Sequence, residues 1–176
     1  LLPQNIHLTL SDISDGMLRD ARRALGARDS RFSFAAFDCE KIPASSESYV
    51  LVIANHVLFY CDNLENVCKE VRRVLKPGGR FLCSTYGNSH MKEISQLVSR
   101  FDERIVLSAN KLYEKFGREN GAHVLEPWFS RVEWISYEDG LLVSDPEPLI
   151  SYILSCHGNQ NQYLPDRYKE QDRCHW

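Results

Sequence analysis

The chain has 176 residues, a formal net charge of -3 and a sequence pI near 6.1. Its composition, 43% hydrophobic and 26% charged, is ordinary for a globular domain. A chain of this length buries about 70% of its unfolded surface, which is enough for a core without disulfides or metals. With 21 Lys and Arg against 24 Asp and Glu, no basic excess exists for a general nucleic-acid coating role. Without a long apolar run or the features of a signal peptide, the sequence predicts a soluble cytoplasmic protein that binds neither nucleic acid nor membrane.

Two types of hydrophobic periodicity alternate along the chain. The first half reads as a strand at 6–11, a helix at 17–25, strands at 32–37 and 49–54, a helix at 64–75, a turn at 76–79 and a strand at 80–86. The second half reads as helices at 91–101, 112–116 and 123–129, hairpin strands at 132–137 and 141–143, and a helix capped by Asp145 that reaches Leu154.

Strands that alternate with helices predict an α/β fold, an open and mostly parallel sheet with helices on both faces. The closing hairpin predicts an antiparallel edge at the C-terminal end of that sheet. We predict one domain at residues 1–157 and a polar C-terminal tail at 158–176.

Six cysteines are spread along the chain, at positions 39, 61, 68, 83, 156 and 174. Their even number would allow a disulfide framework, which remains the less favoured alternative. No C-x-x-C spacing occurs, and most of these cysteines lie in or beside apolar runs. The same lack of paired ligand spacing predicts no metal site.

Polar residues follow four of the predicted strands, where α/β sheets bind their ligands. These pairs are Asp12 with Ser14, Asp38 with Cys39, Asn55 with His56, and Tyr86 with Asn88. Asp12 could accept hydrogen bonds from both hydroxyls of a ribose, or it could cap the following helix. Asp38 could accept from an exocyclic amine such as that of adenine, or it could be an ordinary turn residue. His56 could serve as a general base near neutral pH, although most lone histidines do not.

Several segments, taken in order, resemble class I S-adenosylmethionine-dependent methyltransferases of the type 11 kind. The most specific is E-V-R-R-V-L-K-P-G-G-R-F at 70–81, which is similar to the family signature E-x-x-R-V-L-K-P-G-G-x-x. Residues 8–18 resemble the family's second strand and helix start, 37–43 its D-A-E-x-L-P segment, and 50–62 its fourth strand and loop. Together the resemblance covers residues 6–86.

The resemblance implies a Rossmann-like fold, S-adenosylmethionine as cofactor and methyl transfer to a small-molecule acceptor. At the matching positions, Asp12 would hold the ribose hydroxyls, Ile13 would pack on the adenine, Asp38 would meet the adenine amine beside Cys39, and the backbone of Asn55 would border the methionine part. His56 and Tyr60 would lie near the transferred methyl group and are the candidates for a catalytic role. The resemblance names no catalytic base.

The family's glycine-rich G-x-G segment, which follows its first strand, has no counterpart in this sequence. Glycines there let backbone N–H groups approach the cofactor closely. We therefore expect a chain that lacks the first strand, either as a fragment or with a homo-oligomeric partner or swapped segment covering the exposed sheet centre. Two other functions remain open: a non-catalytic methyltransferase-like domain that acts through protein contacts, and, less favoured, an NAD-dependent dehydrogenase.

Overall fold

A computed structural model describes residues 5–25, 30–108, 111–137 and 140–164. The chain divides into two compact units, Leu1–Ser84 and Thr85–Trp176. Among the described residues, no helix combines the length and the apolar character needed to cross a membrane.

The first unit alternates strands and helices, as the periodicity predicts. Its elements in chain order are β1 (Leu8–Asp12), α1 (Asp15–Leu25), β2 (Phe32–Ala36), β3 (Tyr49–Asn55), a 3-10 turn (Leu58–Tyr60), α2 (Leu64–Val74) and β4 (Leu75–Ser84). β1 pairs with β2 and β3 pairs with β4, in both cases in parallel. Each pair is joined through a helix, so the unit contains two β-α-β pieces and the predicted α/β class is confirmed. The described strands form two two-stranded sheets, where the sequence predicted one open sheet.

Helix α2 buries one continuous apolar stripe. Asn63 caps its start, because its side-chain oxygen accepts a hydrogen bond from the backbone N–H of Asn66 at 3.1 Å. The buried residues recur at helical spacing and are Val67, Cys68, Val71 and Val74. Val74 is 0% exposed, so the end of the helix is anchored in the core of this unit.

The predicted turn at 76–79 lies inside β4, which begins directly after α2. The strand register passes from Tyr49 opposite Leu75 to Leu51 opposite Arg80, so residues 76–79 bulge out of the ladder. Gly78 has a φ of 75°, a conformation that favours glycine. A Cβ at Gly79 would lie 2.9 Å from the carbonyl oxygen of Lys76. These two glycines therefore let the chain pass from helix to strand without a separate loop.

Among the described residues of the second unit, the regular elements are all helical. They are α3 (Lys92–Phe101), α4 (Leu112–Lys115), α5 (Gly121–Leu125) and α6 (Pro146–Ser155), followed by a 3-10 turn (Gln160–Gln162). Asp145 caps α6 by accepting a hydrogen bond from the backbone N–H of Glu147 at 3.1 Å, as predicted. Val98, Ile105 and Ile153 form a buried cluster that joins α3 to α6.

The predicted antiparallel hairpin is wrong for the residues that the structure describes. Residues 132–137 and 141–143 have no regular secondary structure, and 138–139, in the predicted turn, lie outside the described residues. Ile135, Tyr137 and Leu142 are 87%, 85% and 99% exposed. A strand is stabilised when its backbone pairs with a neighbouring strand and its side chains are covered. The described residues of this segment pair with no strand, and these three side chains are exposed.

Part of the predicted polar tail is packed within the second unit. The side-chain oxygen of Asn159 accepts a hydrogen bond from the backbone N–H of Val106 at 2.7 Å, and its amide donates to the carbonyl of Arg104 at 3.0 Å. Gln160 is 0% exposed. Residues 165–176 of the tail lie outside the described part of the chain.

Candidate functional site

Two of the predicted site residues lie at the carboxyl ends of paired strands. Asp12 ends β1 and lies opposite Ala36, the last residue of β2. Asn55 ends β3 and lies opposite Ser84, the last residue of β4. Because α/β folds bind ligands beyond the carboxyl ends of parallel strands, both residues occupy positions suited to ligand contact.

The turn after β1 is organised by Asp12 and Ser14. The backbone N–H of Ser14 donates to Oδ1 of Asp12 at 2.8 Å, and Oγ of Ser14 accepts from the backbone N–H of Met17 at 3.4 Å. Ser14 thus takes the capping position that sequence reasoning left open for Asp12. Ile13, between them, is 79% exposed and presents an apolar side chain to solvent. The turn therefore places a carboxylate beside an apolar surface.

Asp38 and Cys39 belong to a tight turn after β2. Oδ1 of Asp38 accepts from the backbone N–H of Glu40 at 2.9 Å, and the carbonyl of Asp38 accepts from the N–H of Lys41 at 2.9 Å. Oε1 of Glu40 in turn accepts from the backbone N–H of Asn63 at 2.7 Å. This hydrogen bond ties the turn after β2 to the segment between β3 and α2.

The end of β3 carries Asn55 and His56. Oδ1 of Asn55 accepts from the hydroxyl of Ser84 at 3.4 Å, and the backbone N–H of His56 donates to the carbonyl of Ser84 at 3.2 Å. His56 has a φ of 50°, a left-handed conformation that is uncommon for a residue with a side chain. Backbone strain of this kind is found preferentially at functional sites, so the conformation of His56 keeps it among the candidate site residues. It does not identify what the side chain does.

Tyr60, the other catalytic candidate, lies at the end of the 3-10 turn. Its ring is 67% exposed and makes an edge contact with the ring of Phe59 at 4.7 Å between centroids. The ring of His56 also lies edge-on to Phe59, at 6.2 Å. Phe59 is 3% exposed, so it is a buried ring against which both candidates pack.

The predicted residues fall into two groups. Asp38, Cys39, Asn55, His56 and Tyr60 lie in the turns after β2 and β3, which Glu40 and Asn63 connect. Asp12 and Ile13 lie at the end of β1, next in the sheet to the strand that leads into Asp38. Among the described residues, no hydrogen bond or ion pair joins Asp12 directly to the other group.

Sequence reasoning missed the Glu70–Arg73 clamp, a set of contacts between α2 and the loop before β3. Arg73 binds Glu70 through Nε at 2.7 Å and donates to the carbonyls of Ile42 and Ala44 at 2.8 and 2.6 Å. Oε2 of Glu70 accepts from the backbone N–H of Ile42 at 2.8 Å. The i,i+3 spacing in E-x-x-R was the available signal, because it places both side chains on one helix face. The clamp holds the loop that follows the Asp38 turn.

The clamp predicts a pH dependence of stability. Arg73 holds the pKa of the Glu70 carboxyl below its usual range, so the contribution to stability is present above about pH 4.5 and is lost as pH falls through the lower folded-state pKa. Glu70→Gln should lower the free energy of unfolding at neutral pH by on the order of 1 kcal/mol. The difference between Glu70→Gln and wild type in the free energy of unfolding should become smaller as the pH falls below about 4.5. Urea unfolding monitored by far-ultraviolet circular dichroism at several pH values measures this.

Glu65→Gln is the matched control for that experiment. Glu65 lies on the same helix, but its ion pair with Lys69 leaves the two side chains 60% and 54% exposed. Exposed pairs contribute little, so this variant should unfold close to wild type at every pH. If the free energy of unfolding depended on pH in the same way in both variants, the stabilising role of the Glu70 carboxylate would be contradicted.

Comparison with known proteins gives a family match over the first unit. Residues 1–83 match the family described as "Methyltransferase domain". Malonyl-[acyl-carrier protein] O-methyltransferase of Nitrosospira multiformis is 32% identical over 107 residues, which cover 52% of this chain and 35% of that protein.

Two further relatives match over similar stretches. The reducing polyketide synthase BOA6 of Botryotinia fuckeliana is 32% identical over 97 residues, covering 53% of this chain and 4% of that protein. A ubiquinone/menaquinone biosynthesis C-methyltransferase of Methylobacterium nodulans is 30% identical over 101 residues, covering 57% of this chain and 40% of that protein. The chain therefore spans 40% or less of the length of each of these three relatives.

Proposed function

Because residues 1–83 match the family described as "Methyltransferase domain" and resemble class I S-adenosylmethionine-dependent methyltransferases, we propose that this chain takes part in methyl transfer from that cofactor to a small-molecule acceptor. One observation supports the proposal: the residues that match the family include the polar residues at the strand ends. Asp12, Asp38 and Asn55 all lie within the matched residues and at or just after the carboxyl ends of parallel strands.

The donor set at these strand ends suits S-adenosylmethionine, the cofactor of this family. A ribose offers two hydroxyl donors, and Asp12 offers a carboxylate of which the Ser14 N–H engages one oxygen. An adenine offers a flat apolar face, and the exposed Ile13 side chain offers apolar surface beside that carboxylate. The residues present therefore fit the cofactor in chemical type.

We assign roles at the cofactor site on this basis. Asp12 accepts hydrogen bonds from the ribose hydroxyls, and Ile13 packs on the adenine. Asp38 accepts from the adenine amine, and the backbone N–H of Cys39 donates to a ring nitrogen. The backbone of Asn55 borders the methionine part of the cofactor.

The chain's own task would be to position the acceptor. The bound cofactor would supply a methyl group already activated by its positively charged sulfur. Aligning the acceptor's nucleophilic atom and excluding water can lower such a barrier by about 7–11 kcal/mol. His56 and Tyr60 are the candidates to orient the acceptor or hold its proton, and a general base adds about 10²- to 10⁴-fold.

A small-molecule acceptor is supported by what the relatives are named for. One relative's name places its C-methyltransferase in ubiquinone/menaquinone biosynthesis, and the other names a malonyl group that is carried on a protein, the acyl-carrier protein. We further propose that the domain extends over residues 1–157, with 158–176 as its tail. A homo-oligomeric partner or a swapped segment would cover the strand edges of β1 and β3, each of which pairs with one strand among the described residues.

Isothermal titration of the purified chain with S-adenosylhomocysteine and, separately, with NAD tests the proposed function. We expect saturable binding of S-adenosylhomocysteine and no binding of NAD, because the strand-end residues match the methyltransferase pattern. The missing G-x-G segment predicts weaker affinity than a complete cofactor loop would give, so the titration should reach millimolar ligand.

Two results would overturn the proposal. Binding of NAD alone would favour a dehydrogenase. Binding of neither ligand, by a folded chain to which a family G-x-G segment has been added at the N-terminus, together with a stable complex with another protein chain, would favour a non-catalytic domain that acts through protein contacts.

A further inference from the structure

Two cysteines that are distant in sequence lie in direct contact. Sγ of Cys39, in the turn after β2, is 3.2 Å from Sγ of Cys61, which follows the 3-10 turn. A disulfide bond is about 2.05 Å long, so the two sulfur atoms need to approach by only about 1 Å to become bonded. The hydrogen bond from the backbone N–H of Asn63 to Oε1 of Glu40, at 2.7 Å, joins the same two segments.

The two thiols differ in a way that gives each a separate role. Cys39 is half-buried and is flanked by the exposed Asp38, whereas Cys61 is 7% exposed. The hydrogen bond between the thiols lowers the pKa of Cys39 and raises the pKa of Cys61. Because the thiolate is the nucleophile, Cys39 is the thiol that would react with a reagent from solvent.

The other described cysteines are less reactive by the same criteria. Burial raises the pKa of Cys68 and Cys83 to about 11. Burial also raises the pKa of Cys156, in the second unit. Cys39 and Cys61 thus form a chemically distinct pair among the described residues.

We propose that Cys39 and Cys61 are a redox modification site that forms a reversible intramolecular disulfide on reaction with a small-molecule disulfide such as oxidised glutathione. The bridge would tie the turn after β2 to the segment that leads into α2. Disulfides that form between such thiols by exchange are reversible, so dithiothreitol should restore both thiols.

The reaction proceeds in two exchanges. The Cys39 thiolate attacks one sulfur of oxidised glutathione, which forms a mixed disulfide and releases one glutathione thiolate that takes up a proton. Cys61 then loses its proton and attacks the Cys39 sulfur, which forms the Cys39–Cys61 bond and releases the second glutathione. The two protein thiols lose two electrons and two protons in total, and oxidised glutathione becomes two glutathione molecules.

The test is to incubate the folded chain with oxidised glutathione, alkylate the remaining thiols and map the disulfides by mass spectrometry without reduction. Trypsin leaves Cys61 and Cys68 on one peptide, so cleavage after Glu65 by a glutamate-specific protease is needed to separate them. We expect a Cys39–Cys61 link that dithiothreitol removes. A folded chain in which Cys39 and Cys61 stay reduced, or pair with other cysteines, would overturn the proposal.

Three variants test the separate roles. Cys61→Ser should accumulate glutathione on Cys39, because the second exchange is lost. Cys39→Ser should lose the internal link and take up little glutathione, because Cys61 is buried. Cys68→Ser is the matched control and should form the link as wild type does. Glutathione on Cys61 rather than Cys39, or loss of the link in Cys68→Ser, would contradict the assignment.

The rate of alkylation gives a second measurement that does not depend on how the variants fold. In the wild-type chain, iodoacetamide should label Cys39 faster than Cys68 under native conditions, because the Cys39 thiol is more accessible and more readily ionised. Labelling of Cys68 before Cys39 would count against the proposal.

Discussion

Replacement of Asp12 by alanine is expected to weaken S-adenosylhomocysteine binding by about 100-fold or more. A carboxylate that accepts from two ribose hydroxyls makes two hydrogen bonds involving a charged group, and each contributes about 1.5–3 kcal/mol. Loss of both removes about 3 kcal/mol or more, which corresponds to about 100-fold in Kd. Isothermal titration of the variant and of the wild-type chain measures the ratio.

Two further variants separate the carboxylate's role from a structural one. Asp20→Ala, on the adjacent helix, removes a carboxylate that is 71% exposed and pairs with Arg23 at 3.5 Å, so it should bind as wild type does. Asp12→Asn keeps a side-chain oxygen for the Ser14 N–H but loses the negative charge. Weakened binding by Asp12→Asn with unchanged circular dichroism would locate the effect in the carboxylate. Wild-type affinity in Asp12→Ala would contradict the assignment.

The first unit could be predicted from sequence because its signals are local. The continuous apolar run before Asn55 predicts a parallel strand, and β3 occupies Tyr49–Asn55. Such a run is typical of a strand covered on both faces, but Val50 and Ile53 are 69% and 52% exposed in the described part of the chain. The stripe of α2 repeats at helical spacing, and four of its residues are buried. The polar residue that follows an apolar run marks a strand end, so the sequence alone predicts that Asp12 and Asn55 lie at the carboxyl ends of strands.

The sequence predicts a hairpin at 132–143 that the described residues do not form, because strand formation depends on distant partners. Residues 132–143 alternate and carry a turn signal, but a single hairpin is marginally stable without a sheet or helix to pack against. Leu142 at 99% exposure shows that the described segment has no such support. The local pattern was present, and the long-range contact that would stabilise it was not.

The contacts that loops make with other parts of the fold could not be predicted from the sequence either. Glu70 and Arg73 were visible as an i,i+3 pair, but their hydrogen bonds to Ile42 and Ala44 depend on where the preceding loop lies. The same holds for the 3.2 Å approach of Cys39 to Cys61. Neither contact follows from spacing or periodicity, because loop positions are fixed by the tertiary fold.

Phe116→Ala is expected to destabilise the second unit by about 3–5 kcal/mol, because it removes a fully buried aromatic side chain and leaves a cavity. Phe116 is 1% exposed. Its ring packs against Gly121, where a Cβ would lie 3.2 Å from the ring's Cζ. The carbonyl of Phe116 also accepts a hydrogen bond from the hydroxyl of Thr85 at 2.7 Å, and that bond survives the substitution because it involves the backbone.

Tryptophan fluorescence can report this effect on the second unit alone, because the chain's three tryptophans, at 128, 134 and 176, all follow residue 84. The urea midpoint seen by fluorescence should fall sharply in Phe116→Ala. Phe101→Ala removes the same side chain from a site that is 64% exposed, so its midpoint should stay near that of wild type. Equal shifts of the urea midpoint in the two variants would contradict the prediction that the buried Phe116 side chain contributes more to stability than the exposed Phe101 side chain.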